Sequence, residues 1–147
     1  MIKRLKELWK QGVVGASVVT KEHDIGLAVA ALMTEIMRMD GELAAAEKRQ
    51  IIMKLQQRFA LDDQAVLELV RRAEKISAEA LDLHQFTSVV VKGFATQERV
   101  HILSELWQVA MADGHVDPYE EQLIRRIAEL LGLHHSQFIT AKLMAGA

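Results

Sequence analysis

The residues with the most chemical potential in this chain are carboxylates gathered at two turns. Asp113, Asp117, Glu120 and Glu121 place four of them within nine residues, and Asp40, Glu42 and Glu47 place three within eight. Each group falls where one stretch of helical periodicity stops and the next begins. There the side chains can converge as hard oxygen ligands for a divalent cation such as Ca²⁺ or Mg²⁺. The second group, Asp113, Asp117, Glu120 and Glu121, is the stronger candidate, with Asp40 and Glu47 the lesser one. Neither is an EF-hand loop. Counted from Asp113, Pro118 stands where that loop needs its glycine, and Ile124 where it needs a bidentate glutamate. A site built here would be shallower and weaker.

The same residues have a structural reading that needs no cation. Gly41 and Gly114 suit a left-handed residue just beyond a helix. Asp40 and Asp113 put negative charge at a helix C-terminus, where the macrodipole disfavours it by a few tenths to about 1 kcal/mol. Hydrogen bonds from the turn's backbone to these carboxylates would offset that cost. Glu47 and Glu120 would then serve only as residues in the first turn of the following helices. Both readings remain open on the sequence.

Other chemistry is poorly represented. Of the six histidines only His134 and His135 adjoin, and neighbouring side chains on a helix do not face one another, so a solvated helix start is the expected role. His84 and His101 stand alone as surface or boundary residues. Neither a phosphate-binding glycine loop, nor a nucleophile elbow, nor a zinc-protease motif is present. Binding or scaffolding is therefore expected ahead of catalysis.

The elements that must position the acidic turns are helices. Apolar residues recur at helical spacing in Ile25–Met39, Ile51–Phe59, Val66–Ile76, Leu83–Phe94, Ile102–Val109, Leu123–Leu131 and Phe138–Leu143. Ile2, Leu5, Leu8 and Trp9 mark an eighth at the N-terminus. Met33, Met37 and Met39 read as core filling, and Phe138, Ile139 and Leu143 as packing against the preceding helices. Asp117-Pro118 with Glu120, and Asp82 with Gln85, have the spacing of capping boxes. Ser77 to Leu81 reads as the connection between halves. Those halves resemble each other: Asp40-Gly41 and Glu47 recur 73 positions on as Asp113-Gly114 and Glu120. Past a one-residue indel, Leu55, Phe59, Ala60 and Leu61 fall opposite Ile127, Leu131, Gly132 and Leu133. The expectation is an all-α, single compact domain of seven to eight helices with an internal duplication, its repeats at about 24–76 and 97–144.

Composition agrees. A chain of 147 residues, half of them hydrophobic, can build one core but hardly two, and a single proline leaves helices unpunctuated. With no cysteine there is neither disulfide nor thiolate metal site, which fits a reducing cytoplasm. A formal net charge of −2 gives no overall pull towards phosphate backbones, so nucleic acid is not an expected partner. The segment 1–20 stands apart from a helical domain over 21–147. It carries Lys3, Arg4, Lys6 and Lys10 against Glu7, then the apolar Gly12 to Val19. Trp9, Lys10 and Gln11 interrupt any signal-peptide pattern, so the segment is expected to be retained. It can dock on its own domain, rest reversibly at the periphery of an anionic inner membrane, or meet the acidic turns of a neighbouring molecule.

The stretch Leu106-Trp107-Gln108-Val109-Ala110-Met111-Ala112-Asp113-Gly114-His115-Val116-Asp117-Pro118-Tyr119-Glu120-Glu121, continuing through Ile124 to Leu131, resembles the signature segment of the TerB family of tellurite-resistance proteins. The resemblance spans roughly Asp24 to Lys142. It implies an all-helical, pseudo-symmetric fold, a D-G-x-x-x-x-x-E acidic motif and a link to bacterial stress response. A similar domain occurs in a membrane-anchored DnaJ-type co-chaperone. The motif maps onto Asp40 and Glu47 and onto Asp113 and Glu120. Ala44 stands where the second repeat has Asp117, which weakens the first turn as a metal site. The resulting expectation is a non-enzymatic adaptor or sensor whose acidic surface takes a divalent cation, a protein partner, or both. The alternative is a purely structural assembly domain whose acids only cap helices.

Overall fold

The structure is a computed structural model that describes residues 16–38, 45–80, 82–112, 114 and 116–147, with side chains from Ile25 onward. Asp40, Gly41, Met39, Asp113 and the N-terminal helix expected around Ile2 to Trp9 lie outside the described residues. Among those described there are seven helices and no strand: α1 Ala16–Arg38, α2 Ala45–Phe59, α3 Asp63–Glu79, α4 His84–Gly93, α5 Thr96–Ala110, α6 Pro118–Leu130 and α7 His135–Ala145. The boundary placed at residue 20 falls inside α1.

Two helices form the interior. Every residue from Ala28 to Met33 on α1 is buried, as are Ile36 and Met37, so this helix is wrapped on all sides by α2 through α6. On α5, Ile102, Leu103, Leu106, Trp107, Val109 and Ala110 are buried, and α7 packs on that helix. Leu55, Leu69, Phe86, Ile127 and Phe138 join the same core. Met33 and Met37 are core-filling residues, as their spacing suggests.

The positions that the sequence repeat aligns share a backbone feature. The residue after Phe59 and the residue after Leu131 both turn left-handed, Ala60 at φ 52° and Gly132 at φ 73°. The residues two further on, Asp62 and His134, then begin α3 and α7 as N-caps. In helix order, α1–α3 and α5–α7 then stand opposite each other, with α4 between them. Alanine in the left-handed region carries a steric cost that glycine avoids. Ala60→Gly is therefore expected to raise stability by a few tenths to about 1 kcal/mol, the relief of strain being partly offset by a freer unfolded chain. Chemical denaturation would check it, and a loss of stability would mean that the alanine methyl contributes packing worth more than the strain.

The two units are tied by Arg58. Its Nε lies 3.0 Å from both Glu105 carboxylate oxygens, Nη2 also pairs with Glu105, and Nη1 is 3.2 Å from Glu98. Burial disfavours the charged guanidinium, but the hydrogen bonds and charges of Glu105 and then Glu98 outweigh it and hold its pKa above the ordinary arginine value.

Three local expectations are corrected. Ser77 is not the start of a connection: it is buried within α3, donates to Glu35 and receives a bond from Arg38, so the crossing begins at Ala80. Asp82 is not an N-cap: α4 is capped at Leu83, while the Asp82 carboxylate accepts from the His84 N–H at 2.9 Å. On α7 only Phe138 and Ala141 are buried, whereas Ile139 and Leu143 face outward.

Candidate functional site

The second acidic turn is closed by the backbone. Gly114 N–H donates to the Met111 carbonyl at 2.9 Å, and Gly114 takes φ 104°, a conformation that a side chain would strain. The chain then enters α6 through Asp117, whose extended backbone (φ −78°, ψ 162°) suits an N-cap, with Pro118 following at the first helical position.

Asp117 and Glu120 form a reciprocal capping box. Asp117 Oδ1 accepts from the Glu120 N–H at 2.9 Å, and Glu120 Oε1 accepts from the Asp117 N–H at 3.1 Å. Glu120 is only 2% exposed. Glu121 points elsewhere: its Oε1 lies 3.4 Å from Lys142 Nζ on α7, and that ammonium sits 5.3 Å from the Trp107 ring centroid. Trp107 in turn meets Phe138 at 5.7 Å, and the Arg125 guanidinium lies 4.5 Å from the Phe138 ring.

In the first repeat Glu47 holds the equivalent place, the third residue of α2, and is equally buried at 3%. The two repeats thus share a buried glutamate at the start of the helix after the acidic turn. A carboxylate withdrawn from water is costly unless hydrogen bonds or a cation compensate, so its recurrence marks a deliberate position. Among the described residues, however, no group of three or more Asp, Glu, His or Cys side chains is arranged to hold a metal ion. Asp117, Glu120 and Glu121 do not assemble into a donor set by themselves. Asp40 and Asp113, the other two predicted ligands, lie outside the described residues.

The remaining predicted groups fall as their spacing suggests. His84, His101, His134 and His135 are all exposed. The His134 N–H donates to Gln137 Oε1 at 2.8 Å at the start of α7, and His135 stacks on Phe138.

Sequence reasoning missed two surface features. One is an open cleft of about 270 Å³ lined by Lys54, Gln57, Arg58 and Glu105. The other is a set of exposed apolar side chains on the two helices that follow the second turn. Tyr119 on α6 is 69% exposed, and Leu143 and Met144 on α7 are 69% and 45% exposed. They neighbour Glu121 and Lys142 in sequence, and the ion pair between those residues brings the start of α6 to the last turns of α7. The lack of a one-sided apolar stripe in His135–Ala145 is the signal that could have shown it.

These features define a class, the all-helical domain with a capped acidic turn. The family model for tellurite resistance protein TerB matches residues 26–143, and the chain belongs to the TerB family, making it a tellurite-resistance-related domain. No curated protein and no solved structure matches it. No helix among the described residues is long and apolar enough to cross a membrane.

Proposed function

We propose that the chain is a non-enzymatic binding module of TerB type, an adaptor in tellurite and stress response, and that its working surface is the second acidic turn with the adjoining ends of α6 and α7. The observation that carries this is the exposure of Tyr119, Leu143 and Met144 beside the Glu121–Lys142 pair. Exposed apolar side chains on helices that also carry acidic groups suit a basic, amphipathic protein segment, the apolar contacts giving affinity and the charges giving orientation. Titrating a basic amphipathic peptide into the isotopically labelled protein is expected to shift the amides of Tyr119 to Gln122 and Lys142 to Ala145. Shifts confined to other helices would move the site elsewhere.

A second reading, a hard divalent cation at Asp113, Asp117, Glu120 and Glu121 with a weaker counterpart at Asp40 and Glu47, draws support from the matched burial of Glu47 and Glu120. A ligand that binds only the folded state raises stability by mass action, about 2.7 kcal/mol at a hundredfold excess over Kd. Millimolar Ca²⁺ or Mg²⁺ is then expected to raise the melting temperature above that in EDTA, and Asp113→Asn with Glu120→Gln to abolish the increment. Identical melting curves would leave capping as the sufficient role of these acids.

A further inference from the structure

The cleft between α2 and α5 takes no residue from α6 or α7, and polar side chains line it. Lys54, Gln57 and Arg58 come from one face of α2, at the i, i+3 and i+4 positions that a helix brings together, and Glu105 comes from α5. These groups are unequally used. Both Glu105 oxygens already accept from the Arg58 guanidinium. Lys54 is half-buried, yet among the described residues no carboxylate pairs with its ammonium. The exposed Gln57 amide adds a donor. A guanidinium carries five N–H groups, and the pairs with Glu105 and Glu98 engage one at each nitrogen, which leaves one more on Nη1 and one on Nη2. Donors are in excess. The only acid in the wall is spent on Arg58, so the charge of Lys54 is left over; Glu98 also pairs with Arg58 but does not line the cleft.

We infer that this cleft binds a small oxyanion of phosphate type, with Lys54 supplying the charge and Gln57 and the remaining Arg58 N–H groups supplying hydrogen bonds. An ammonium holds such a group as a point charge, and the planar guanidinium adds direction. The volume of about 270 Å³ falls just below the range of roughly 300–1,000 Å³ for pockets that enclose a drug-sized molecule, so it suits the ion itself or a short phosphomonoester. Because Arg58 ties α2 to α5, an occupant held here binds only the folded chain and stabilises it. The cleft is open, so the attraction weakens with salt.

The test uses the full chain, ¹⁵N-labelled and titrated with sodium phosphate, with glycerol phosphate, and with sodium chloride at matched ionic strength. The expected result is a saturable shift of the Lys54 to Arg58 amides, the Glu105 amide and the Arg58 Nε–H with both phosphates, and none with chloride. Lys54→Gln breaks no ion pair among the described residues, so the fold should persist by circular dichroism. Phosphate affinity should then fall about fivefold or more, the loss of one charge-assisted hydrogen bond at an open site. Arg126→Gln removes the same charge from α6, which contributes nothing to the cleft, and should leave affinity unchanged. Glu98→Gln withdraws a carboxylate that competes for Arg58 and should tighten binding. Tighter binding of the ester than of the ion would make a phosphomonoester the ligand, and equal binding the free ion. Three results would each overturn the inference: no saturable shift with either phosphate, the same shifts with chloride, or equal effects of Lys54→Gln and Arg126→Gln.

Discussion

Leu106→Ala is expected to lower the unfolding free energy by about 2–5 kcal/mol, the range for truncating a large side chain in a core that cannot collapse around the space. Leu106 is fully buried on α5, between Leu103 and Trp107 in the helix that contacts α1, α2, α4, α6 and α7. No single neighbour can move inward without leaving another, so most of the cavity should persist. For a domain of this size each kcal/mol shifts the melting temperature by roughly 2–4 °C. Denaturant titration beside Leu67→Ala provides the comparison, because Leu67 is 48% exposed and little is lost by truncating it. Equal effects at the two positions would mean that α5 is not the centre of the fold.

The helices could be read from the sequence because their signal is local. Apolar residues return every three or four positions in each segment, and the two left-handed residues that end α2 and α6 stand at the positions aligned by the repeat. What could not be read depends on contacts between distant residues. Ser77 looks like the start of a loop, yet Glu35 and Arg38, some forty positions away, bond to its hydroxyl and keep it inside a helix. In α7 the apolar residues surround the helix, so nothing in the period says that Phe138 turns in while Leu143 turns out.

The site divides the same way. The box joins Asp117 and Glu120, three positions apart, and follows from Asp-Pro before an acidic first turn, so its spacing announces it. The engagement of Glu121 by Lys142 joins residues 21 positions apart, and nothing near Glu121 in the chain predicts it. Burial of Glu47 and Glu120 was equally hidden, since a glutamate in the first turn of a helix is normally solvated. The consequence is a change in emphasis: of the four acids around the second turn, the three that are described are each engaged by the protein itself, which draws the functional reading towards the apolar residues beside them.

Glu120→Ala is expected to be the costliest change at the acidic turns, about 1–3 kcal/mol, because it removes the acceptor of the Asp117 N–H and leaves a space where a buried side chain was. Asp117→Ala should cost about 0.5–2 kcal/mol, the usual loss for an N-cap, while Asp117→Asn keeps an oxygen acceptor for the Glu120 N–H and should cost only a few tenths. The two bonds hold the same turn, so the double alanine variant should lose less than the sum of the single ones. Glu121→Ala breaks only a partly exposed pair with Lys142 and should cost less than about 1 kcal/mol. This ordering, measured by denaturant titration in EDTA, isolates capping from any cation. If Glu120→Ala costs no more than Glu121→Ala under those conditions, the capping box does not account for the burial of Glu120. The cation reading would then become the better explanation of that buried carboxylate.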